Sequence, residues 1–110
     1  MNYSITPTLD FLKMVKKLSK KYPSLKSDLA NLKESLLENP LQGDGLGNDC
    51  YKVRMAIESK NKGKSGGARV ITCVKIVNEI IFLMSIYDKS SQSTITDKAL
   101  DELLKEAGIG

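Results

Sequence analysis

Tyr51 to Lys75 reads YKVRMAIESKNKGKSGGARVITCVK, and this stretch decides the architecture. Tyr51, Val53, Met55 and Ile57 alternate with Lys52, Arg54, Ala56 and Glu58. A period of two predicts a strand, with Lys52 and Arg54 two residues apart on one face. Residues 60–67, Lys-Asn-Lys-Gly-Lys-Ser-Gly-Gly, have no apolar side chain and predict a hairpin loop. Ala68 to Lys75 is β-branched and apolar and predicts the returning strand. Glu79 to Tyr87 predicts a third, with Asn78-Glu79 in the turn and a polar connection from Asp88 to Ser93.

Upstream, the period is helical. Residues 2–5 predict a short first strand, and Thr6-Pro7 a helix start with a capping hydroxyl and a first-turn proline. Phe11, Val15, Leu18 and Tyr22 follow on one face, and Lys13, Lys16, Lys17 and Lys20 form a separate stripe that suits a solvated surface. Pro23 ends that helix and Ser24 is placed to cap the next. Leu25, Leu29, Leu32 and Leu36 carry the second helix to about Glu38, so the pair predicts an antiparallel helical hairpin. Asn39-Pro40 stops it, and Gly43, Gly45 and Gly47 predict a turning loop. Thr96 is placed to cap a last helix carrying Leu100, Leu103 and Leu104. The order strand, two helices, three strands, one helix is α+β. It predicts an antiparallel sheet with the helical hairpin packed on one face. Residues 1–110 are expected to form a single domain.

Composition narrows the chemistry. The 110 residues hold 17 Lys and Arg against 13 Asp and Glu, a net charge of +4, and no histidine. His-based triads and His-ligated metal sites are therefore excluded. The charge is localised: residues 52–75 hold seven Lys and Arg against Glu58 alone, a net of +6. A focused positive region is an electrostatic footprint for phosphate, as in nucleic acid, although a solvated hairpin would carry the same charge. Cys50 and Cys73 are too few for a disulfide framework and read as reduced structural thiols. No secretory signal is visible, and the longest apolar run, Ile80 to Met84, is too short to span a membrane. A cytoplasmic protein is expected.

Gly63-Lys64-Ser65 has the look of a P-loop ending, but the glycine that motif needs five positions earlier is Glu58, and a strand follows instead of a helix. Nucleotide binding is rejected, and nothing in the sequence suggests a metal or cofactor. The basic set has more content. Lys52 and Arg54 lie on one strand, Arg69 opens the next beyond a loop bearing Lys60, Lys62 and Lys64, and Tyr87 and Lys89 end the third. In a meander these positions converge on one side of the sheet. Several cations with a phenol suit a phosphodiester: the cations stabilise a dianionic phosphorane and the phenol moves a proton.

Four segments extend this beyond composition. They are Tyr22-Pro23 with the Lys-rich hairpin, Asn39-Pro40 through Gly47, Tyr51-Lys-Val-Arg-Met-Ala, and Lys62-Gly-Lys-Ser-Gly-Gly-Ala-Arg-Val-Ile with Ile86-Tyr87-Asp-Lys89. Together they resemble toxins of the RelE/ParE superfamily from type II toxin–antitoxin modules, nearest in flavour to the HigB/RelE-like branch. The resemblance implies a RelE-like fold and a metal-free endoribonuclease that enters the ribosomal A site and cuts mRNA there. In that reaction the 2′-hydroxyl attacks the adjacent phosphate, leaving a cyclic phosphate and a 5′-hydroxyl. It also implies a cognate antitoxin as partner.

By this resemblance Lys52 and Arg54 match a basic pair after the strand tyrosine, Arg69 the arginine opening the next strand, and Lys89 a basic residue after the last strand. The expected roles follow. Arg54 and Arg69 hold the scissile phosphate. Lys52 or Tyr87 takes the 2′-hydroxyl proton, with a pKa lowered by neighbouring cations. Lys89 or a loop lysine assists the leaving oxygen, and Lys60, Lys62 and Lys64 contact the RNA backbone. One departure stands out: the C-terminal catalytic tyrosine of the best-known pattern falls at Ile95, which leaves Tyr87 as its substitute. Two competing readings remain. One is a ParE-like, non-enzymatic inhibitor of DNA gyrase. The other is a degenerate toxin that only binds its antitoxin.

Overall fold

A computed structural model of the chain describes residues 2–61, 63–92 and 94–109. Five strands and three helices follow in the order β1 (Ser4–Pro7), α1 (Leu9–Lys21), α2 (Leu25–Glu38), β2 (Asp44–Gly47), β3 (Cys50–Met55), β4 (Ala68–Lys75), β5 (Ile80–Asp88) and α3 (Asp97–Glu106). They form one sheet in the order β1-β5-β4-β3-β2. The α+β class, the helical hairpin and the three-strand meander match the reading of the sequence.

The differences are local. Thr6-Pro7 does not start α1 but completes β1, where an edge strand tolerates a proline. Thr8 caps the helix instead, its Oγ1 accepting the Phe11 N–H at 3.2 Å. Ser24 precedes α2 but has helical backbone angles and makes no cap bond. Its hydroxyl donates to Asp28 Oδ2 at 2.8 Å. The glycine loop contains an additional strand, β2, antiparallel to β3. Gly43 allows it to close in: its φ of +103° is in the left-handed region, and a Cβ there would lie 2.6 Å from the Lys52 carbonyl oxygen. The sheet is also not wholly antiparallel, because β1 pairs with β5 in parallel, Ser4 opposite Ile80 through Pro7 opposite Leu83. The helical hairpin separates β1 from the meander and returns the chain in that sense.

The sheet buries a cluster on each face. Val53, Met55, Val70, Val74, Ile81, Leu83 and Ile86 meet Phe11 of α1 and Leu25, Leu29, Leu32 and Leu36 of α2. On the other face, Cys50, Ile71, Cys73, Met84 and Tyr87 lie with Leu100 of α3, flanked by half-buried Leu103 and Leu104. Thr96 caps α3, its Oγ1 accepting the Ala99 N–H at 3.1 Å. Because β1 covers only the first half of β5, α1 runs beside the rest. The Thr8 hydroxyl donates to the Met84 carbonyl at one end, and the Tyr22 hydroxyl donates to Asp88 at the other. The end of β5 is thereby fixed against the helical hairpin.

Candidate functional site

Strand register sets the site. Arg54 of β3 is the cross-strand partner of Arg69 on β4, and Arg69 is the partner of Tyr87 on β5. Directly opposed residues share a face, so the three side chains form one row across the meander, on the face that α3 covers elsewhere. Two arginines in direct opposition repel each other. Together they concentrate positive charge on this face of the sheet.

The three differ in exposure. β2 pairs only with Cys50 to Lys52, so Arg54 lies where β3 has an open edge and is exposed. It lines a cleft of about 220 Å³ with Asn31 and Ser35 of α2, Gln42 and Lys64. Arg69 is 4% exposed. Its Nη1 donates to the carbonyls of Lys64 at 3.0 Å and Ala68 at 3.1 Å, which ties the guanidinium to the loop. Tyr87 is buried, and among the described residues its hydroxyl has no hydrogen-bond partner. Burial pushes the Tyr87 phenol up from its ordinary pKa, and the nearby Arg69 charge only partly opposes this. The expectation of a phenol lowered by neighbouring cations is thus reversed for Tyr87, because desolvation outweighs the cation.

The other candidates divide. Lys52 is half-buried on the same face of β3 as Arg54. Lys64 is exposed in a short turn, Lys64–Gly66, above Arg69. Lys89 follows β5, and its backbone N–H donates to the Gly67 carbonyl at 3.0 Å, placing it beside the loop. Gly67 approaches the end of β3 so closely that a Cβ would run into the Met55 carbonyl oxygen. Lys62 lies outside the described residues. Lys60 is not brought to the row. Its Nζ makes a 2.7 Å ion pair with Asp88 Oδ1 and lies 5.4 Å from the centre of the Tyr22 ring.

That ion pair belongs to a buried network that reading the sequence did not predict. The Asp88 carboxylate accepts from Lys60, from the Tyr22 hydroxyl and from the Ser90 N–H at 3.0 Å. Burial alone would raise Asp88, but these hydrogen bonds outweigh it and hold the carboxyl well below the usual range. Tyr22 and Asp88 each sit in a segment the sequence singles out, Tyr22-Pro23 and Ile86-Tyr87-Asp-Lys89. The signal was present, but their contact across 66 positions was not. Among the described residues, no group of three His, Cys, Asp or Glu side chains is arranged to hold a metal ion.

The family described as "RelE toxin of RelE / RelB toxin-antitoxin system" matches residues 11–109. The chain belongs to the RelE toxin family. Solved RelE structures share its fold. A doubly substituted Escherichia coli RelE toxin in the free state is 20% identical with a TM-score of 0.65, covering 96% of this chain and 98% of that one. A chain of the intact E. coli RelBE toxin–antitoxin complex is 21% identical with a TM-score of 0.57, covering 79% of this chain and 96% of that one. The isolated E. coli RelE toxin is 23% identical with a TM-score of 0.51, covering 96% and 98%. No curated protein matches the chain. In this RelE-family chain no helix among the described residues is long and apolar enough to cross a membrane.

Proposed function

We propose that this toxin is a metal-free, ribosome-dependent endoribonuclease that cuts mRNA in the ribosomal A site and halts translation in the cytoplasm. The observation that carries this reading is the row Arg54–Arg69–Tyr87, two cations and a phenol adjacent on one sheet face. Arg54 is exposed and meets the scissile phosphate first. Arg69 is held from behind by the loop carbonyls and adds fixed positive charge where the phosphorane builds up negative charge. The 2′-oxygen attacks phosphorus, its proton passing to Lys52, and the bond to the 5′-oxygen breaks. Tyr87, kept protonated by burial, suits proton donation toward that leaving oxygen better than proton removal. Lys89 stands by the same loop for the same end of the reaction. Lys62 and Lys64 contact the RNA backbone. Lys60 fits a structural role better than the expected RNA contact, because its side chain is nearly buried in its pair with Asp88.

With no histidine to exchange protons near neutrality, this set is slow on free RNA and relies on the ribosome to position its substrate. A cognate antitoxin neutralises the toxin by covering it, in keeping with the antitoxin bound in the solved E. coli RelBE complex.

The test is induced expression in a bacterial host with the antitoxin under separate control. Translation arrest with mRNA cuts in codon register is expected, and Arg54→Ala and Arg69→Ala each lose growth inhibition while still co-purifying with antitoxin. A DNA-damage response without mRNA cuts would instead make the chain a gyrase inhibitor, and normal growth would leave it an antitoxin-binding protein alone.

A further inference from the structure

Register also brings the two cysteines together. Cys50 of β3 is the cross-strand partner of Cys73 on β4, and both are buried in the cluster beneath α3. The Val74 N–H donates to the Asp49 carbonyl at 2.9 Å, which makes Cys50 and Cys73 a non-hydrogen-bonded pair. That is the closer of the two antiparallel arrangements, with Cα atoms about 4.5 Å apart, inside the span of about 4.4–6.8 Å that a disulfide bridges. Both Sγ atoms reach the Asn48 carbonyl oxygen, at 3.4 Å from Cys50 and 3.9 Å from Cys73.

We propose that Cys50 and Cys73 form an oxidisable thiol pair that hydrogen peroxide converts into an intramolecular disulfide. Both thiols are buried, but Asn48, whose carbonyl oxygen they reach, lines an open cleft. A cleft of about 270 Å³ opens between the strand ends and α3, lined by Asn48, Asp49, Lys75, Asp101 and Leu104. Cys73 is the attacking sulfur. The neighbouring Cys50 and the Lys75 charge hold its thiol below the ordinary value, against burial and Asp49. Its thiolate attacks one peroxide oxygen, the O–O bond breaks, and the departing hydroxide takes a proton to leave as water. Cys73 is then a sulfenic acid. Cys50 loses its proton and attacks the Cys73 sulfur; the S–S bond forms, the S–O bond breaks, and a second water leaves. Two thiols and one peroxide give one disulfide and two waters. The two sulfurs together lose the two electrons that the peroxide gains. The bond joins β3 to β4 at the end of the strands away from Arg54 and Arg69, on the same face.

The experiment uses the full-length reduced toxin. It is treated with a small excess of hydrogen peroxide, quenched, unfolded and alkylated, and its mass and peptides are then read. The expected product is a monomer lighter by two hydrogens, with no alkylated cysteine, a Cys50–Cys73 cross-linked peptide, and full reversal by dithiothreitol. Its melting temperature rises relative to the reduced protein. Urea-unfolded toxin, which lacks the register, cross-links several-fold more slowly. Cys50→Ala and Cys73→Ala each abolish the cross-linked peptide. Both cysteines remaining alkylatable, oxygen added to one sulfur without a cross-link, or bridges only between molecules would each overturn the proposal. The map of the unsubstituted protein decides the matter even if either variant folds poorly.

Discussion

Arg69 on β4 stands directly opposite Arg54 on β3, in a pair whose backbones do not hydrogen-bond to each other, so the two cationic side chains leave the sheet at close quarters. Like charges so placed cost stability, by about 0.2–1 kcal/mol for an ordinary cross-strand pair. Arg54→Ala is therefore expected to leave the urea midpoint unchanged or to raise it slightly. RNA cleavage on programmed ribosomes is expected to fall by about 10²–10³-fold, the usual loss for one charge-stabilising group. A parallel drop in both measurements would mean that Arg54 supports the fold and not the site.

Tyr87 separates the same two possibilities more sharply. Its hydroxyl is buried without a partner among the described residues, so Tyr87→Phe is expected to change stability by no more than about 0.5 kcal/mol. If the phenol donates a proton, cleavage falls by about 10²-fold or more. The pH profile of stability adds a check. The folded phenol holds its proton more tightly than an unfolded tyrosine does. The unfolded chain therefore ionises first as pH rises above about 10, and stability is lost there. Tyr87→Phe removes that share of the alkaline loss.

Asp88 governs the acid side. Its carboxyl is held below the usual range in the folded chain, so the unfolded chain takes up a proton first as pH falls. The contribution is complete above about pH 4 and is lost progressively below it. Asp88→Asn keeps the shape but removes the charge opposite Lys60, whose side chain is 9% exposed. An uncompensated buried cation costs about 3 kcal/mol or more. Chemical denaturation is expected to show that loss, with a flatter acid limb, and Lys60→Met in the same chain is expected to restore part of it.

Gly67 is a steric prediction. A Cβ at this position runs into the Met55 carbonyl oxygen and comes within 2.9 Å of the Ile57 nitrogen, both backbone atoms. Gly67→Ala must push the loop away from β3 or displace the start of β4, and is expected to cost about 1–3 kcal/mol. Because Gly67 also accepts the Lys89 N–H, the same variant is expected to lower cleavage beyond what its residual folded fraction accounts for. Gly45→Ala, where an added Cβ meets only the Tyr51 ring at 4.0 Å, provides the comparison.

Local periodicity was enough for the α+β class. A period of 3.6 placed Leu25, Leu29, Leu32 and Leu36 on the buried side of α2, and all four are buried. A period of two put Lys52 and Arg54 on one face of β3. These patterns are written in neighbouring residues and survive without knowledge of the partner strand. β2 escaped notice because Asp44-Gly-Leu-Gly has almost no side-chain pattern, and its pairing is a matter of backbone hydrogen bonds. The parallel sense of β1 followed from how the helical hairpin returns the chain, which no single segment encodes. The candidate residues could be named from their chemistry and spacing, but their grouping depended on register. Register set Arg54 against Arg69, Arg69 against Tyr87 and Cys50 against Cys73, and packing of α1 beside β5 gathered Lys60, Asp88 and Tyr22. Those contacts join positions far apart in the chain, and only the folded sheet fixes which of them meet.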